Sequence, residues 1–199
     1  MKTLIIVLGH AGSGKTTTTN YLTDILSNAE TIKFAKPLYM VHNFFFRTGP
    51  KRRWFLLFLG NLISFFKLRR FICSSWVKNV KDCFSKKNRE IVLCDDLRFP
   101  AEAKSVYKLG CNGIYQKLIV IYLNTSMENC KNRSLNSDNQ MRHDSENHIQ
   151  ECWEQIHTEL GPRLMLEHHV IYHDLILPNN NDIKTLYKTL DNFIGGLLI

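Results

Sequence analysis

Apolar residues fall along this chain in two rhythms. Five short, unbroken apolar runs, at 3–8, 31–34, 91–94, 118–123 and 170–172, read as strands. Because the apolar positions are continuous and do not alternate with polar ones, these strands are expected to be covered on both faces. Between them the spacing changes to that of helices. Ile149, Cys152, Trp153, Ile156 and Leu160 form one apolar stripe, and Ile183, Leu186, Tyr187, Leu190 and Ile194 form another. Strands alternating with helices predict an α/β fold: a parallel sheet of about five strands with helices on both faces. The polar run 134–144 reads as a mobile loop, and Pro178 with Asn179 to Asn181 as a turn before the last helix.

Composition fits one domain. The chain has 199 residues, 44% of them hydrophobic, enough to bury a core without cross-links. Lys and Arg number 26 against 18 for Asp and Glu, and the formal net charge of +8 favours anionic partners. The basic residues gather at 47–53 and 67–70, which suggests a folded anion-binding face and not a disordered arm. Six cysteines, with no C-x-x-C pair and no matching His spacing, argue against a zinc site or a disulfide framework. They read as reduced thiols in a cytoplasmic protein. The apolar start 4–8 is too short for a signal-peptide core. The apolar segment 54–66 falls short of the roughly 20 residues needed to span a bilayer, so a buried helix is expected there and no membrane partner, with a surface anchor flanked by its Lys and Arg as the alternative.

The most specific chemistry lies between the first strand and the first helix. Gly9-His10-Ala11-Gly12-Ser13-Gly14-Lys15-Thr16 is a full G-x-x-x-x-G-K-[ST] phosphate-binding loop in the expected strand-loop-helix setting. Glycines let the backbone curl so that N–H groups from Gly9 and Ala11 through Thr17 can point at phosphates, and the following helix adds its positive end. Lys15 suits the terminal phosphates of ATP, and the Thr16 hydroxyl suits Mg²⁺. A second acidic centre, Asp95-Asp96, closes the third apolar run. A carboxylate at a strand's carboxyl end beside such a loop can support the metal, assigned to Asp95 with Thr16, or handle the acceptor, assigned to Asp96.

Asp96-Leu97-Arg98-Phe99-Pro100-Ala101-Glu102-Ala103 is similar to the D-[VL]-R-F-P-x-E-A signature of bacteriophage-type deoxynucleoside monophosphate kinases. Phe34-Ala35-Lys36-Pro37-Leu38 resembles the F-A-x-P-L segment of that family. Leu57-Phe58-Leu59-Gly60, Trp76-Val77 and His143-Asp144-Ser145-Glu146 are weaker echoes in the same order. Where the family usually carries Gln, this chain has Phe58. The resemblance implies a P-loop kinase fold, ATP with Mg²⁺ as donor, a (deoxy)nucleoside monophosphate as acceptor, and a lid around 131–146.

A kinase of this kind needs an Arg on the acceptor phosphate and mobile cations over the transferred group. Arg98 fits the first need, since its planar fork grips phosphate bidentately, although a pairing with Glu102 at i+4 is the simpler alternative. Arg133 and Arg142 bracket the polar loop as candidate lid arginines. Phe34, Ala35 and Trp76, with Phe99, are candidates to contact the acceptor base. Glu146 either faces the closed lid or complements the start of the helix that follows. Two rivals stay open: a kinase of another small acceptor, of the phosphomevalonate type, and a nucleotide-regulated nucleic-acid-binding module. The lack of an aromatic-interleaved basic ribbon weighs against nucleic acid. The sequence leaves oligomeric state open and admits a homodimer.

Overall fold

The computed structural model describes residues 1–46, 69–135, 148–180 and 182–197. The basic stretch 47–53, the apolar segment 54–66, the Leu57 to Gly60 element and the loop carrying Arg142 and His143 to Glu146 lie outside the described residues. In chain order the elements are β1 (Thr3–Leu8), α1 (Lys15–Ile25), β2 (Ala29–Thr31), α2 (Lys36–Phe45), α3 (Arg69–Ser85), β3 (Ile91–Cys94) and α4 (Pro100–Cys111). They continue with β4 (Lys117–Asn124), α5 (Met127–Leu135), α6 (His148–Gln155), a π-helical turn Ile156–Leu160, α7 (Gly161–His168), β5 (Ile171–Pro178) and α8 (Ile183–Leu197).

The five strands form one sheet, all parallel, in the order β2-β3-β1-β4-β5. β1 is central and every one of its residues is buried. Its side chains alternate between two cores: Leu4, Ile6 and Leu8 pack with α3, α4, α6 and α7, while Ile5 and Val7 pack with α1 and α8. Burial on both faces is why the run carries no polar alternation. Right-handed crossovers explain the division. The step from β1 to β2 runs one way across the sheet and puts α1 on one face; the steps from β3 to β4 and from β4 to β5 run the other way and put their helices opposite. The chain therefore leaves β1 and its neighbours toward opposite faces, which opens a crevice at their carboxyl ends.

The expected fold class is what the structure has, with shifts at the elements' edges. The second strand covers Ala29–Thr31, not 31–34: after Ile32 donates to the Leu93 carbonyl at 2.8 Å, the chain turns inward and Phe34 enters the core. The last strand is longer than the apolar run 170–172 and continues to Pro178 at the sheet's edge, where partly exposed positions hide the signal. The helix expected over 149–160 widens into the π-helical turn. Pro162 in the first turn of α7 has no N–H and crowds the carbonyl four residues back, so the preceding turn opens. Among the described residues no helix is long and apolar enough to cross a membrane.

One expectation is corrected outright. Phe34 and Trp76, read from the sequence as base-stacking candidates, are 1% and 0% exposed. Their rings stack on each other with centroids 4.2 Å apart, and the Trp76 indole N–H donates to the Ile32 carbonyl at 3.1 Å. Neither offers a face to a ligand, because the pair fills the space between α3 and the end of β2. Trp76→Ala is expected to cost about 3–5 kcal/mol of folding stability. Urea unfolding checks this, and a loss under about 1 kcal/mol would contradict the core assignment.

Candidate functional site

Between Leu8 and Lys15 the chain turns through three glycines in the left-handed region, Gly9 at φ 147°, Gly12 at 79° and Gly14 at 94°. The packing also demands them. A Cβ on Gly12 would lie 2.3 Å from the Cys130 carbonyl oxygen of α5, and one on Gly9 would lie 2.5 Å from the Ser13 hydroxyl. That hydroxyl is buried without a hydrogen-bond partner among the described residues. The loop is fastened at Ser13. Its N–H donates to the His10 carbonyl at 3.0 Å, and its carbonyl accepts from the Asn179 amide at 2.8 Å and the Thr125 hydroxyl at 3.3 Å. Thr125 follows β4 and Asn179 follows β5, so the two strands beyond β1 hold the loop from their carboxyl ends. Helix α1 then starts at Lys15 with no side-chain cap and no acid of its own in its first turn. The Lys15 ammonium folds over the loop and donates to the carbonyls of Gly9 and His10.

Thr16 faces the end of β3. Its hydroxyl donates to Asp95 Oδ2 at 3.1 Å, and Asp95 is only 3% exposed. The Lys33 ammonium, from the β2–α2 connection, lies 2.9 Å from Asp95 Oδ1 and 3.0 Å from Oδ2. Burial alone would lower the Lys33 pKa, but the hydrogen bond and charge of Asp95, with Asp96 behind it, hold it above the ordinary value. Thr16, Asp95 and Lys33 thus meet at the β1–β3 crevice. A hydroxyl and a carboxylate are both hard oxygen donors, the chemistry that Mg²⁺ takes.

Asp96 has a different task. Its two oxygens accept the backbone N–H groups of Phe34 and Ala35, both at 2.8 Å. Burial pushes its carboxyl up from the ordinary value, and those two N–H bonds oppose the rise. The carboxylate expected to serve catalysis directly is therefore a tie that fixes the segment carrying Lys33, and Ala35 contributes its N–H to that tie. Tyr39 on α2 stands beside it; burial and the charge of Asp96 raise its phenol, while Lys33 and Arg98 pull it down.

Arg98 is half-buried just beyond β3. Glu102, the sequence candidate for its ion pair, instead accepts the backbone N–H groups of Arg98 at 2.8 Å and Phe99 at 3.1 Å, which starts α4 with Pro100 at its head. Behind it the Arg69 guanidinium stands 4.0 Å from Glu102 and 3.3 Å above the Phe99 ring. Burial raises the Glu102 carboxyl to about 7. Arg133, on α5, is half-buried on the opposite side of the loop. With Gly14, Thr17, Asn179, Ile183 and Leu186 it lines a cavity of about 240 Å³. Arg142 and Glu146 lie outside the described residues.

The structure thus brings together the loop from Gly9 to Thr17, Asp95, Asp96 and Arg98, and it sets Phe34 and Trp76 aside. Sequence reasoning missed Lys33, Thr125 and Asn179. Asn179 carried a usable signal, an amide directly after an apolar strand; Lys33 and Thr125 carried none. No protein-family model matches the chain and no curated protein matches it.

Glu102 yields a pH prediction. Its folded value of about 7 lies above the 4.5 of an exposed Glu, so between those limits the folded state binds more protons than the unfolded one. Stability from this group is full below pH 4.5 and falls as pH rises toward 7. Glu102→Gln removes the slope. In urea unfolding at pH 5 and pH 7, wild type is expected to lose on the order of 1–3 kcal/mol more than the variant across that interval. Parallel pH profiles would contradict the buried-carboxyl assignment.

Proposed function

We propose that the chain is a phosphotransferase that moves the γ-phosphoryl group of ATP to a (deoxy)nucleoside monophosphate, releasing the diphosphate and ADP. The observation that carries this reading is the hydrogen bond from the Thr16 hydroxyl to the buried Asp95 carboxylate, 3.1 Å long, directly behind the three-glycine loop. A curled backbone opening into an uncapped helix start suits phosphate. Thr16 and Asp95 would hold Mg²⁺, which when bound neutralises charge on the donor phosphates. This is also the division of labour implied by the resemblance to the phage-type kinases.

On this reading each wall of the crevice has a task. The Lys15 ammonium exchanges its two carbonyl partners for oxygens of the β- and γ-phosphates. The 240 Å³ cavity beside Gly14 and Thr17, with Arg133 at its rim, receives the base end of the donor. The acceptor phosphate lies on the other side, within reach of Arg98, with Lys33 between the two phosphates. An oxygen of the acceptor phosphate forms the new bond to the γ-phosphorus as the bond from that phosphorus to the bridging oxygen of ADP breaks. The attacking oxygen is already ionised, so no base is needed; alignment and charge neutralisation supply the catalysis. Asp96 acts through Phe34 and Ala35 by fixing the segment that presents Lys33.

ATP consumption measured with and without each common ribo- and deoxyribonucleoside monophosphate tests the proposal. Turnover is expected to depend strictly on one or a few of them, and Lys15→Ala is expected to abolish it with the fold retained. Turnover that ignores every monophosphate would overturn the assignment. Arg98→Lys separates the two substrates: the ammonium cannot reproduce a bidentate fork, so kcat/KM for the monophosphate is expected to fall at least about tenfold while ATP affinity barely changes. Equal losses for both would make Arg98 structural.

A further inference from the structure

We propose that the groove between α3 and α4 is a docking site for an acidic, amphipathic helix of a partner protein. This does not rest on the phosphotransferase reading. The groove encloses about 1020 Å³ between two helices that run side by side in the same direction, on the sheet face away from α1. It begins where α4 leaves the carboxyl edge of the sheet, at Ala101, and runs to Asn112 at the opposite edge, and its described lining includes no residue of the glycine loop.

Its cross-section has three parts. Its floor is apolar, formed by Val77, half-buried, over Cys73 and Leu109, which are buried. Arg70, Lys78 and Lys81 stand along the α3 rim, and Lys104 and Lys108 along the α4 rim, all five exposed. The acid among the described lining residues, Asp82, already pairs with Lys86 at 2.9 Å. Lys104 and Lys108 sit at i and i+4, a like-charge pair that costs the free helix stability. Two cationic rims over an apolar floor complement a rod that is apolar beneath and anionic on both flanks.

Length and lining decide the class of occupant. From Arg70 to Lys81 the α3 rim advances about 16 Å, as does α4 from Ala101 to Asn112, at roughly 1.5 Å per residue. That matches about three turns of helix seated in a groove by an i, i+3/i+4, i+7 apolar stripe. Single-stranded nucleic acid would meet the same charge, but its sequence-tolerant binding draws on aromatic stacking platforms, and no aromatic residue is among the described lining. A flat anionic bilayer would touch the rims and leave the recessed floor uncovered.

Selection of a displayed library of helical peptides against the full-length protein tests the proposal, followed by fluorescence anisotropy of the enriched peptides on wild type and two double variants. The expected sequences carry an apolar stripe flanked by Asp or Glu. Lys78→Glu with Lys108→Glu is expected to weaken their binding by at least about tenfold, Lys78→Gln with Lys108→Gln by less, and thermal unfolding to stay unchanged in both. Enriched peptides without acidic flanks, or acidic ones that bind the charge-reversed variant equally well, would overturn the proposal. So would an oligothymidylate or phosphatidylserine vesicles bound in preference to every peptide and lost with the charge reversal, which would assign the groove to nucleic acid or to lipid. If the charge reversal unfolds the chain, the glutamine pair decides by the same criterion.

Discussion

A hydroxyl in the first turn of α1 meets a buried carboxylate at the end of β3, and the candidate site is organised around that contact. Asp95 is costly to bury as an anion unless it is paired. Thr16 and Lys33 approach it from the two segments that flank β3 in space, one from the helix after β1 and one from the turn after β2. Closing this triad sets the distance between the glycine loop and the β3 edge. It also aims the start of α1 at the crevice, where an anion gains from the helix end.

The second constraint comes from the far side. Asn179 and Thr125 both bond the Ser13 carbonyl, and α5 crowds Gly12 through the Cys130 carbonyl, so the loop is held from one side of β1, by the ends of β4 and β5 and the helix between them. On the proposed reading this stiffness matters, because a phosphate cradle works only if its N–H groups are arranged before the ligand arrives. Asp96 plays the corresponding part for the other wall by tying Phe34 and Ala35 to β3. Two neighbouring carboxylates thus divide the labour: Asp95 receives Thr16 and Lys33, and Asp96 holds the backbone that brings Lys33 to it.

Much of this could be read from the residues before any coordinates. The unbroken apolar runs at 3–8 and 91–94 coincide with β1 and β3, because strands covered on both faces leave no polar alternation to confuse the pattern. The glycine spacing marked the loop because backbone curvature there depends on side-chain absence, a strictly local property. Legibility failed where the cause was tertiary. Trp76 and Phe34 have the composition of a base-stacking pair, and only packing against Ile32 shows that they are core. Glu102 had the right spacing for an ion pair with Arg98, but its geometry served two N–H groups at a helix start. Lys33 meets Asp95 across 62 positions, a separation that no local pattern encodes.

The central claim is that Thr16 and Asp95 form the oxygen pair that couples nucleotide binding to Mg²⁺. Calorimetric titration of ATP into wild type and Asp95→Asn, each with and without Mg²⁺, measures that coupling directly. The account predicts that Mg²⁺ tightens ATP binding to wild type and that this gain shrinks by about tenfold or more in the variant, while Mg²⁺-free binding through the glycine loop changes little. An equal Mg²⁺ gain in both proteins would contradict it.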